Sequence, residues 1–167
     1  MKYLVVFLIT ILMISCSGLT DKQMLDSGKK YLNESKFNDA AETFKDLIDD
    51  YPDSKYVKNA YFELGSLYHN KALKDVTEKV SLQKGIYYYE KVVNKFPESE
   101  EAPKALFMIA FIQANQLSEN DSAKSNYELF LKKYPEHHLA MTAKIELENV
   151  GLSPEAILSK KLSEQKN

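Results

Sequence analysis

Apolar positions recur along this chain with a helical period, and the apolar stripes are cut at similar points three times. The clearest cut is Tyr51-Pro52-Asp53-Ser54, followed by Ala60 and Leu64. It returns as Phe96-Pro97-Glu98-Ser99, with Ala105 and Ile109, and as Tyr134-Pro135-Glu136-His137, with Ala143 and Leu147. Each time an aromatic closes an apolar stretch and a proline ends it. Proline lacks an amide hydrogen and biases its predecessor away from helix, so these residues punctuate. Asp53-Ser54 and Glu98-Ser99 then offer side-chain oxygens and negative charge for the start of the next helix. A small residue followed four positions on by a large apolar one describes a buried helical stripe, the small residue letting a neighbouring helix come close. Self-similarity at fixed offsets predicts an all-α architecture, an array of helical repeats.

Ahead of the array lies a different segment. Lys2 gives a short basic start, and Tyr3 to Ile14 form an apolar run of about a dozen residues, where a spanning helix needs ~20. That length suits the core of a signal peptide, residues 1–15. Met13-Ile14-Ser15-Cys16-Ser17 resembles the lipobox of bacterial lipoproteins, in which the cysteine is lipidated and becomes the mature N-terminus. The resemblance makes Cys16 the lipidation site and residues 16–20 a linker; a plain secretory leader with an incidental cysteine is the other reading. Cys16 is the single cysteine, which excludes an intrachain disulfide. Ser17 stands where familiar enteric lipoproteins carry an inner-membrane retention aspartate, so the resemblance implies an outer-membrane destination.

Thr20-Asp21-Lys22-Gln23 is a capping-box pattern that predicts a helix over about 22–33, with a second over about 38–50 capped by Asn38. From here the chain resembles the tetratricopeptide family, whose ~34-residue unit is a helix–turn–helix with a spaced signature. In the first unit Gly28 and Tyr31 take the first-helix positions, and Ala40, Phe44 and Pro52 those of the second. The second unit has Ala60, Tyr61, Leu64, Gly65 and Tyr68, then Gly85, Tyr89 and Pro97, with about eight extra residues within 69–84. That insertion implies a longer first helix, a longer loop or both. The third has Ala105, Leu106, Ile109 and Ala110, then Ala123, Tyr127 and Pro135. A further helix over about 137–149 carries Ala143 and Leu147 and ends at Gly151. Ser153-Pro154 restarts a last helix whose Ala156, Ile157, Leu158 and Leu162 are expected to seal the final unit. The expected organisation is a solenoid of about three and a half repeats over residues 21–151, then a capping helix and polar tail over 152–167.

Composition narrows the function classes. The formal charge is -2, and neither arginine nor tryptophan occurs. A slightly acidic chain without the planar guanidinium fork is poorly suited to nucleic acid. No glycine-rich phosphate loop or nucleophilic triad stands out, and adjacent His137-His138 cannot copy the i, i+4 geometry of a helical zinc pair. No cofactor, metal or small-molecule substrate is expected, and the chain reads as a non-enzyme.

The tetratricopeptide resemblance implies binding on a concave face lined by the first helix of each pair. By signature position that face includes Leu25, Lys29, Asn33, Phe62, Ser66, His69, Asn70, Phe107, Phe111 and Asn115. Phe62, Phe107 and Phe111 are large apolar residues that signature packing does not require, which points to a groove for an extended peptide or partner helix. Alternatively, the long loop or the N-terminal linker covers them. Asn33, Asn70 and Asn115 recur at one unit position, as a polar ladder or as left-handed C-caps. Asp26, Glu63 and Met108 occupy the positions at which some family members hold a carboxylate clamp, so a chaperone-tail clamp is not expected. Tyr87 and Tyr88 flank Tyr89 and should face the insertion or a partner.

Taken together, lipobox and repeats resemble the BamD/ComL lipoproteins of the outer-membrane protein assembly machinery, and the repeats are also similar to those of the Tol-Pal coordinator family CpoB/YbgF. The resemblance implies a lipid-anchored periplasmic scaffold that binds envelope proteins, among them the outer-membrane barrel-assembly protein. A pilotin-type or Tol-Pal-associated envelope chaperone or adaptor is the alternative, and an enzyme or its regulatory subunit the more distant one.

Overall fold

The computed structural model describes residues 18–74 and 76–164. Cys16 and the leader fall outside the described residues. Among those described there are eight α-helices and no strand: α1 (Asp21–Asn33), α2 (Phe37–Asp50), α3 (Val57–His69), α4 (Glu78–Lys95), α5 (Glu101–Asn115), α6 (Asn120–Lys133), α7 (Ala140–Asn149) and α8 (Pro154–Glu164). Helices α1 with α2, α3 with α4 and α5 with α6 form packed pairs, and each pair packs on the next through α2–α3, α4–α5 and α6–α7. This is an α-solenoid of tetratricopeptide-like helix pairs.

The first helix begins as its sequence dictates. Thr20 Oγ1 accepts from the Gln23 N–H at 3.3 Å, and Gln23 Oε1 accepts from the Thr20 N–H at 2.9 Å, a reciprocal capping box. Other helix starts are built from backbone instead. Tyr51, Phe96 and Tyr134 adopt nearly the same conformation, φ -131, -133 and -132° with ψ 58, 52 and 53°. Their N–H groups donate to the carbonyls of Leu47, Val92 and Phe130, closing the preceding helix. Their own carbonyls accept from Ser54, Ser99 and His137, and those residues' carbonyls accept from Val57, Ala102 and Ala140. The aromatic–proline motif is therefore one hydrogen-bonded turn used three times.

Three expectations about helix starts are corrected. Ser54 does not cap α3: its Oγ accepts from the Tyr56 N–H at 3.1 Å and donates to Asp21 Oδ2 at 2.6 Å, tying the second unit to the first. The helix expected from 137 starts at Ala140 because His137 is still part of the turn. Asn38 is not a cap either, since α2 starts one residue before it and is preceded by Lys36 with no side-chain cap bond.

Close packing within pairs rests on small residues. A Cβ at Gly65 would lie 2.7 Å from the Tyr89 ring, and one at Gly28 would overlap the Phe44 ring. Ala110 and the fully buried Tyr127 are the corresponding residues of α5 and α6. Ala40, Ala60, Leu64, Tyr68, Ala105, Ile109, Ala123 and Ala143 are buried, while Tyr31 and Leu147 are half-buried. The insertion feeds the loop and the second helix and leaves the first unchanged: α3 has 13 residues, as α1 does, whereas α4 has 18 against 14 for α2. The early part of α4 is pinned by buried Ser81, whose hydroxyl donates to the Tyr68 carbonyl at 2.6 Å.

The last helix does not seal the array. Leu158 and Leu162 of α8 are 59% and 51% exposed, and Ala156 is exposed as well. The cause lies in α7. At the position held by Gly28, Gly65 and Ala110, where the partner helix crosses closest, α7 has Glu148. A carboxylate there forbids close approach, and Glu148 instead meets Lys160 Nζ at 3.1 Å. Gly151, at φ 82°, turns the chain between the two helices in the left-handed conformation that glycine adopts at least cost.

Candidate interaction surface

Helix α3 buries Val57, Ala60, Tyr61, Leu64, Gly65, Leu67 and Tyr68 and so turns Phe62, Glu63, Ser66 and His69 to the other side. At spacings of three and four residues, Phe62, Ser66 and His69 share one stripe. Phe62 is half-buried with its ring 5.4 Å from that of Tyr89. Burial pushes the Tyr89 hydroxyl above its ordinary range, with a hydrogen bond to Ser66 opposing, so the ring stays neutral.

The stripe continues onto α5 through His69. Its ring meets Phe111 edge-on at 6.3 Å, and its Nε2 lies 3.1 Å from Gln116 Nε2. Burial, with Lys71 adding to it, lowers the His69 pKa, so at neutral pH the ring is uncharged and accepts from the Gln116 amide. Phe111 is half-buried beside it. This bridge ties the C-terminal ends of α3 and α5 together at the surface. At the other end of the same two helices, Glu101 of α5 accepts from Asn59 Nδ2 at 2.6 Å and pairs with Lys58 Nζ at 3.2 Å.

Two residues expected on this face belong to the core. Phe107 is 8% exposed, its ring 5.7 Å from Tyr127 and 6.0 Å from Phe130, because α6 covers that side of α5. Leu25 is 5% exposed in the cluster formed with Phe44 and Leu64. Lys29 is exposed on α1. The asparagines form no ladder. Asn70 Nδ2 donates to the Ser66 carbonyl at 2.9 Å and Asn115 Nδ2 to the Phe111 carbonyl at 3.2 Å, each turned back on its own helix end. Neither is left-handed as a cap: that conformation falls to Ser35, Lys71 and Ser118, at φ 57, 55 and 57°.

Glu63 is a member that the sequence reading set aside. Burial raises its pKa, with the charge of Lys29 opposing. It lines a cavity of about 240 Å³ with Leu32, Phe37, Ser66, Leu67, Asn70 and Ala72. On α4, Tyr88 stacks on Tyr68 at 5.4 Å, and Tyr87 is exposed beneath Lys91, 4.7 Å from its ring centre. The His137 and His138 rings lie 4.1 Å apart, tilted by 36°, and His137 Nδ1 accepts from the Leu139 N–H at 3.2 Å, finishing the turn before α7. Among the described residues no group of three or more His, Cys, Asp or Glu is placed to hold a metal ion.

The arrangement offers half-buried rings, a neutral imidazole, amides and one carboxylate on two adjoining helices. The family model described as YfiO, outer membrane lipoprotein, matches residues 12–129, well over half of the 167-residue chain. The match takes in Cys16, α1 to α5 and most of α6. No curated protein matches the chain.

Proposed function

Because this chain belongs to the YfiO family of outer membrane lipoproteins, we propose that it is held at the outer membrane by acyl chains on Cys16 and acts on the periplasmic side as a protein-binding scaffold. Two or more acyl chains anchor stably where one binds reversibly. The observation that carries the scaffold reading is the continuous surface of α3 and α5, where Phe62 and Phe111 remain half-buried around the His69–Gln116 bridge. Rings held in fixed register by a solenoid serve as anchors for an extended segment at small entropic cost. The finer role is in outer-membrane protein assembly, as in the BamD/ComL lipoproteins that the lipobox and repeats resemble, with the barrel-assembly protein as partner. Catalysis has no part in this reading.

The test is affinity capture of the tagged lipoprotein from gently solubilised envelopes, comparing the parent with a Phe62→Ala/Phe111→Ala variant and with Cys16→Ser. The parent should recover the barrel-assembly protein, the double variant should lose it, and Cys16→Ser should lose acyl label and membrane attachment. Recovery of Tol-Pal, secretin or murein proteins in its place would discard the assembly role. Unchanged recovery by the double variant would discard the surface.

A further inference from the structure

Glu63 stands out on this surface because its charge is unanswered. Among the described residues no lysine is within ion-pairing distance of it, and exposed Lys29 acts on it only through its field. The cavity it lines is walled by Leu32, Phe37, Leu67 and Ala72, a lining of methyl, methylene and ring carbon. Asn70 lines it too, and its Nδ2 is committed to Ser66, which leaves its Oδ1 as a second acceptor.

An apolar sleeve with a carboxylate and an amide oxygen matches one kind of side chain: an aliphatic stem ending in several donors. We propose that the cavity between the end of α1, the start of α2 and α3 receives a lysine or arginine side chain of an extended partner segment, whose neighbouring residues lie along Phe62 and Phe111. The proposal rests on the scaffold reading and deepens it. At the same unit position α5 carries Met108, α7 carries Glu146, and α1 carries an exposed Asp26 already paired with Lys22 Nζ at 2.6 Å. A basic residue seated against Glu63 sets the register of the partner, with the aromatic contacts supplying area. Burial holding the Glu63 carboxyl above its ordinary range agrees with a site that gains by receiving a cation.

Two blocked, fluorescein-labelled pentapeptides test it, Phe-Ser-Lys-Ser-Phe and the same sequence with norleucine for lysine. Each is titrated by anisotropy against the full-length lipoprotein in detergent micelles. The lysine peptide should bind about tenfold or more tighter, the scale of a charge-assisted hydrogen bond. Glu63→Gln, isosteric and at a half-buried site, should erase that preference, and Phe111→Ala should weaken both peptides alike. Equal affinity for the two peptides, still lost in Phe111→Ala, would overturn the basic-residue site and leave the scaffold surface standing. A lysine preference that survives Glu63→Gln would also overturn it. Binding of neither peptide would overturn both.

Discussion

Phe107 and Phe111 sit four residues apart on α5, alike in type, and the structure buries them to different extents. Truncating each to alanine separates the two. Phe107 is 8% exposed and makes edge-on contacts with Tyr127 and Phe130, both fully buried. Phe107→Ala removes the ring from a site that rigid helices on two sides keep open, a change that costs about 3–5 kcal/mol. At about 2–4 °C per kcal/mol for a chain of this size, the melting temperature should fall by roughly 10 °C. In urea, with a slope of about 2 kcal/mol per molar, the midpoint should fall by roughly 2 M. Phe111 is only half-buried, against the His69 ring, so Phe111→Ala should cost about 1 kcal/mol or less. The assay is equilibrium urea unfolding followed by circular dichroism, with peptide binding measured on the folded variants. Equal midpoints for the two, or a Phe107→Ala protein as stable as the parent, would refute the reasoning.

Three further outcomes follow from the geometry. Gly65→Ala should destabilise by about 1–2 kcal/mol although alanine is the better helix former by about 1, because its Cβ would meet the packed Tyr89 ring at 2.7 Å; urea unfolding reads the sign directly. Ser81→Ala removes the 2.6 Å bond to the buried end of α3 and should cost about 1–2 kcal/mol, with faster amide exchange in the first turns of α4 as the local readout. Glu63→Gln should raise the urea midpoint near neutral pH. The folded-state pKa of Glu63 is raised, so the stability this group contributes is full only below its unfolded pKa and is lost as pH rises through the folded one. The advantage of glutamine should therefore vanish in acid, and an advantage that grows as pH falls would contradict the assignment.

Much of the fold was legible because it depends on local chemistry. The Thr20–Gln23 capping box and the proline turns are each written in a few neighbouring residues, and the Gly65–Tyr89 crossing in the spacing of the repeat. The candidate surface was harder to read. Helix α5 is apolar nearly all round from Leu106 to Ile112, so periodicity could not tell Phe107 from Phe111; only the placement of α6 does. Leu25 is similar, its burial set by α2. Glu63 was passed over because it failed to match a carboxylate clamp, whereas its importance lies in burial without a counter-charge. Glu148 carried the information that α8 would not dock, since it breaks the series Gly28, Gly65 and Ala110, but the apolar residues of α8 pointed the other way. The insertion had length without pattern, and the pattern-free part could have gone to either helix.

The account stands on the surface of α3 and α5 being where a partner sits in the envelope. Photocrosslinking in intact cells tests this most directly, with a photoreactive amino acid placed at position 111 and, on the opposite side, at exposed Tyr87. The account predicts one discrete adduct with an envelope protein from position 111, abolished by Phe62→Ala, and no such adduct from position 87. The same adduct from both positions, or from position 87 alone, would contradict it.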